Sequence, residues 1–338
     1  MSARAWFAFL TVSLLWGIPY LFIKIAVDDG IPPAFLAWIR VTIAALILGA
    51  LSWRLGLLSG LRGKGRVLAL YATVEIAIPF PLIGFGEQRV SSSLAAILIA
   101  SVPLIIAVLA LRFDHEERAS GGRLIGLFVG FAGVVALVGI DVAGNGRELL
   151  GAFAVLLAAV GYAIGPMLLK SELGDLDPRA LMAGALALAA LILTPAAIVA
   201  PPETMPSGDA LAAMIVLSVL CTATAFVVFA VLIGEVGPSR ASVITYVAPV
   251  VAVTLGVALL DERPGAGAIA GLLLILAGSW LATGGKPPSG LARTYRTFRP
   301  PPPLRVRGRT GQLEYRAFRP PPPLRVRGRT GQLKDRGR

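Results

Sequence analysis

Few residues in this chain can do chemistry, and most of those lie inside apolar runs. Glu75 sits in "LYATVEIAIPFP". At the centre of a hydrocarbon layer an ionised carboxylate costs at least about 2.5 kcal/mol unless something pairs or neutralises it. Arg40, in "AWIRVTIAALIL", is the nearest cation by depth. Counting helical rise puts the two roughly 7–8 Å apart along the membrane normal, within reach of long side chains. The residues leave two readings open: a buried ion pair that fixes helix packing, or a carboxyl that exchanges a proton.

Trp16, Tyr20 and Lys24 recur at i, i+4 and i+8 and so share one helix face, and Tyr162, Pro166 and Lys170 repeat the arrangement. The aromatic pair offers donors on large apolar bodies and is a candidate for a cavity wall, whereas Lys24 either meets an anionic group or snorkels to the interface. Ser101, Thr222, Thr224, Thr245 and Tyr246 add hydroxyls to apolar runs, with Cys221 and Ser242 beside them. Such hydroxyls bond back to the i−4 carbonyl, join helices, or line a substrate pathway. Pro103 and Pro249 each remove a backbone N–H in mid-run and free the carbonyl four residues back, at Ile99 and Thr245, so each is a packing kink or a hinge. Pro79 and Pro81 follow Glu75 and predict an irregular helix there.

Catalytic assemblies are hard to build from this inventory. The single histidine, His115, stands in the charged stretch "FDHEERAS", so a Ser-His dyad within the membrane or an HExxH zinc site is excluded. Glu75 has no second acid facing it as a di-aspartyl protease needs, and no Gly-Lys-Ser/Thr phosphate loop exists for an ATP-driven pump. One cysteine, Cys221, gives neither a disulfide nor a zinc spacing. No cofactor and no metal are expected.

The elements that position these residues follow from composition. A chain of 338 residues that is 56% hydrophobic and 15% charged carries more apolar surface than one soluble core can bury. A helix needs roughly 20 apolar residues to cross about 30 Å of hydrocarbon. Ten such runs occur, at 5–27, 34–53, 67–86, 91–111, 124–140, 149–169, 180–200, 210–233, 239–260 and 266–283. Backbone groups cannot stay unpaired in lipid and the period-2 alternation of a barrel is missing, so the fold is an all-α membrane protein with ten transmembrane helices. The first run lacks a small-residue cleavage site and is kept as a mature span.

Lys and Arg in the breaks set the orientation. With the N-terminus inside, inside breaks carry eleven and outside breaks only Arg89, Arg147 and Arg263, so both termini are expected in the cytoplasm of a cell inner membrane. Residues 286–338 hold 15 Lys+Arg against Glu314 and Asp335, a net of +13, whereas the preceding 285 residues sum to −1. That tail contains "YRTFRPPPPLRVRGRTGQLE" at Tyr295 and a near copy at Tyr315. Proline runs and Arg-Gly surroundings build no core, so a disordered tail is expected, anchoring the chain by its charge or touching anionic lipid; no nucleic-acid partner is expected.

The chain also repeats itself. Trp16, Lys24, Pro32, Val90, Ser93, Ala95 and Pro103 fall on Tyr162, Lys170, Pro178, Val236, Ser239, Ala241 and Pro249 at an offset of 146. After a one-residue gap Glu117-Arg118, Gly126, Ala132-Gly133 and Gly139 fall on Glu262-Arg263, Gly271, Ala277-Gly278 and Gly284. Two five-helix units at 1–145 and 146–285 result, and because five is odd the second enters the membrane from the opposite side. Such inverted repeats are typical of secondary transporters, with the site near the midplane. The small-xxx-small patterns at Gly126, Gly130 and Gly271 read as tight packing, within the chain or between the protomers of a homodimer.

"LLWGIPYLFIKIA", the two blocks "SSSLAAILIASVPLIIAVLAL" and "GPSRASVITYVAPVVAVTLGVALLDERPGAGAIAGLLLILAGSWLA", and the Glu-Arg pair in each repeat resemble the EamA-type drug/metabolite transporters over residues 6–284. The resemblance implies a 5+5 fold, a central cavity lined by the earlier helices of each repeat, and movement of small metabolites, often outward. The expected function is a secondary transporter for an amino acid, nucleoside, sugar or drug-like compound, working by alternating access. The alternative is a non-transporting membrane scaffold whose basic tail binds partners or anionic lipid.

Overall fold

A computed structural model describes residues 2–113, 122–236, 241, 243–282, 305–307 and 313–315. Among the described residues, ten apolar helices form the first unit, Met1–Lys286. Eight are long and apolar enough to cross a membrane: α1 (Ala3–Asp28), α2 (Pro33–Arg54), α3 (Gly65–Glu87), α4 (Ser92–Leu109), α5 (Gly122–Val142), α6 (Gly146–Leu168), α7 (Pro178–Val199) and α8 (Gly208–Val236). The remaining two, α9 (Ile244–Leu259) and α10 (Ala266–Ala282), are shorter and equally apolar. All ten expected runs are therefore helical, with ends shifted by a few residues. The largest consequence is at α3, which extends one residue past the expected run to take in Glu87.

Polar side chains at the turns start the helices. Ser2, Ser91 and Ser207 accept from the N–H groups of Ala5, Leu94 and Ala210, while Asn145 and Asp177 serve α6 and α7 in the same way. The helices then pack in pairs: α5 with α10, α2 with α7, α3 with α6, α1 with α8, and α4 with α9. Glycine makes the α5–α10 contact close. A Cβ at Gly278 would stand 2.3 Å from the backbone nitrogen of Gly130, and one at Gly126 only 2.4 Å from that of Ala282. These small residues are thus used within the chain, where α5 meets α10.

Several helices are interrupted where polar residues gather. α1 breaks at Ile18 ahead of Pro19, and α4 turns out of the helix at Ala100 and Ser101 just before Pro103. π-helical stretches run through Thr73–Ala77 in α3 and Val216–Thr224 in α8. By contrast α9 runs unbroken through Pro249.

In the tail, two three-residue strands, β1 (Arg305–Arg307) and β2 (Leu313–Tyr315), pair antiparallel with Val306 opposite Glu314. The ladder falls between the two proline runs, where every residue keeps its N–H.

Candidate functional site

Arg40 is the centre of a polar cluster inside the helix bundle. Its side chain is 9% exposed, its Nε donates to Thr222 Oγ1 at 2.8 Å, and its guanidinium lies over the Phe80 ring at 4.2 Å from the centroid. Thr222 is itself fixed, because its hydroxyl donates to the Leu217 carbonyl at 2.7 Å. That is an i−5 partner, reachable because the backbone here is π-helical. The hydrogen of Thr222 is thus spent on its own helix and its lone pair is turned to Arg40. Tyr20 of α1, Tyr162 of α6, Cys221 of α8 and Glu87 of α3 all lie within electrostatic reach of the guanidinium. No Asp or Glu is within ion-pair distance of Arg40 among the described residues.

Glu75 does not pair with Arg40, so the buried ion pair offered by the sequence is absent. Its carboxyl instead lies against α6, where a Cβ on Gly165 would meet Oε2 at 1.8 Å, and that oxygen is buried without a hydrogen-bond partner. The π turn explains the placement. Ile78 N–H reaches back to the Thr73 carbonyl and Pro79 has no N–H, so the α3 backbone is reset at the residue that carries the acid. Gly161 lets α6 close on the Val74 carbonyl released by this shift. Tyr162 stands within electrostatic reach of both Arg40 and Glu75.

Lys24 meets an anionic group: its Nζ donates to Asp28 Oδ1 and to the Glu87 main-chain carbonyl, both at 2.8 Å. The Glu87 side chain is wholly buried and neither carboxylate oxygen has a hydrogen-bond partner. Glu87 escapes a sequence reading because it sits at the edge of an apolar run, where an acid normally faces water. The signal available was Lys24, one helix away at the same depth.

Other expected pathway residues are placed elsewhere. Trp16 packs into an aromatic cluster with Phe226 and Phe229 at 5.6 and 4.7 Å between ring centroids. Ser101 is buried and donates to the Leu98 carbonyl at 2.6 Å, while Thr224 is exposed. Thr245 and Tyr246 are half-buried near the start of α9. Ser242, the Lys170 side chain and the stretch holding His115 lie outside the described residues. The structure therefore gathers Tyr20, Arg40, Tyr162 and Thr222, with Glu75 also within electrostatic reach of Tyr162.

Comparison with known proteins agrees with this architecture. The family model for EamA-like transporters matches residues 3–139 and again residues 149–284. The inner membrane transporter YedA of Escherichia coli (strain K12) is 30% identical over 264 residues, covering 75% of this chain and 82% of its own. A probable terminal-alkyne amino-acid exporter of Streptantibioticus cattleyicolor is 28% identical over 289 residues, covering 81% of this chain and 94% of the relative. One solved crystal structure superposes with a TM-score of 0.61 at 22% identity, over 87% of this chain and 99% of that one, which shows the same fold.

Proposed function

Since the chain belongs to the EamA-like transporter family, we propose that it carries a small metabolite bearing a carboxylate, of the amino-acid type, outward across the cytoplasmic membrane. Arg40 is the observation that carries the reading. A buried guanidinium held by a neutral hydroxyl and an aromatic face still lacks a counter-ion, and an uncompensated charge in the membrane is costly. A substrate carboxylate supplies the missing partner through a charge-assisted contact. Glu75, within electrostatic reach of Tyr162, offers the ammonium end of a zwitterion its own partner. The relative named as an amino-acid exporter supports this substrate class.

Alternating access between two five-helix halves fits the pairings. The contacts α1–α8 and α3–α6 exchange under a twofold that relates the halves, whereas α2–α7, α4–α9 and α5–α10 map onto themselves. The family model matching twice supports the same reading, and the excess of Lys and Arg in alternate breaks supports termini on the cytoplasmic side. Thermal stabilisation of the purified protein tests the substrate class, because a ligand that binds only the folded state raises its stability with occupancy. Amino acids should stabilise, their decarboxylated amines should not, and Arg40→Gln should abolish the difference. Stabilisation by the amines equal to that by the amino acids would exclude Arg40 as the anchor.

A further inference from the structure

The turn between α9 and α10 reaches across the molecule to the start of α4. Glu262 accepts hydrogen bonds from the N–H groups of Ser92 and Ser93, at 2.7 and 3.0 Å, and from the Ser93 hydroxyl. Of the four N–H groups that open α4, the other two are met locally: Leu94 by the Ser91 hydroxyl and Ala95 by the Ser91 carbonyl. One carboxylate from a distant element thus completes the helix start, where the positive end of the helix dipole also favours it. Gly256 clears the space, since a Cβ there would stand 2.4 Å from Glu262 Oε2 and 2.6 Å from Ser93 Oγ. Asp261, immediately before, holds a left-handed backbone at φ 52°, a conformation that costs an L-residue free energy unless its surroundings enforce it.

The segment tied down in this way is short. α4 is helical over Ser92–Ile99 and then leaves the helix at Ala100 and Ser101 before resuming at Val102. It is therefore a two-turn lever with a break at one end and a single distant carboxylate at the other. A comparable contact elsewhere has no such lever: Asp141 accepts from the N–H groups of Gly267 and Ala268, but it joins α5 to α10, which are already locked along their length by glycine contacts.

We propose that Glu262 is a latch: its contact with Ser92 and Ser93 holds the first segment of α4 against α9, and its release opens that end of the bundle. The inference takes its purpose from the transport reading, but its test reads opening and not flux, so either can fail alone. Full-length protein with Cys221→Ala carries one new cysteine at Ala252, on α9 one turn below Gly256, or at Ala189 in the α2–α7 core as a control. Both positions are essentially unexposed in the latched state. Glu262→Gln should raise the rate of maleimide alkylation at 252 at least ten-fold and leave that at 189 unchanged. An unchanged rate at 252 overturns the proposal, and so does equal acceleration at both positions, which would make Glu262 a structural cap only. Should Glu262→Gln fail to fold, Ser93→Ala decides: it removes the hydroxyl contact alone and should accelerate labelling at 252 by at least two-fold, whereas no change there overturns the latch.

Discussion

At Glu75 the absence of an ion pair changes what a substitution does. Were Glu75 the counter-ion of Arg40, Glu75→Gln would leave a buried cation alone and cost several kcal/mol. Arg40 is instead held by Thr222 and Phe80, so the substitution leaves its contacts intact. We expect Glu75→Gln to stay folded with Tm within a few degrees of the parent, and the charge reversal Glu75→Arg with Arg40→Glu to fold worse than either parent or Gln variant. Proton exchange at Glu75 is then read from flux in proteoliposomes: the Gln variant should lose the pH dependence of net transport, and full retention of that dependence removes the role. The sequence identified both residues and their depths, because each is an ionisable side chain in an apolar run. Which of them touch is set by azimuth, and that depends on the π turn at Thr73–Ala77, for which a 3.6-residue period has no term. Thr222, in the site, and Thr224, exposed, stand two residues apart and so fall on opposite faces of α8.

The two prolines related by the 146-residue offset have different effects on their helices. α4 breaks ahead of Pro103 because substitutes exist for the lost helical bonds. Ser101 donates to the Leu98 carbonyl, and Ser279 of α10 donates to that of Ala100 at 3.4 Å. The residue that corresponds to Ser101 in the second half is Val247, which has no hydroxyl to offer, and α9 stays helical through Pro249. Pro103→Ala restores a backbone donor and favours a continuous α4, so it should slow transport several-fold while leaving insertion unchanged. Pro249→Ala should change the rate by less than two-fold. Equal effects of the two substitutions, measured as initial flux rates at matched protein levels, would remove the asymmetry. Offset matching alone could place both prolines but not rank them, since the difference lies in neighbours from other helices.

At the scale of the whole chain, the membrane unit and the tail make separate demands. Every contact that positions the Arg40 cluster, and every glycine approach that joins α5 to α10, falls within residues 1–286. The tail carries a net charge of +13 and the rest of the chain −1, so the tail can supply electrostatic attraction to an anionic leaflet without adding to the site. Ten helices and their order were legible from apolar run length, because lipid permits no other way to satisfy the backbone. The strand pair in the tail was not legible, because its two short segments carry no periodic apolar face. A transporter and a scaffold differ in what happens when the tail is removed. With a stop after Gly285, we expect the remaining chain to insert, to keep its ligand-induced rise in Tm, and to keep its flux per molecule within about two-fold. Attraction worth ~1 kcal/mol per basic residue near an anionic surface should be lost at the same time, seen as weaker binding of the detergent-solubilised protein to vesicles containing phosphatidylserine. Loss of flux from a correctly inserted chain, with the ligand-induced rise in Tm gone as well, would instead place function in the tail and favour the scaffold.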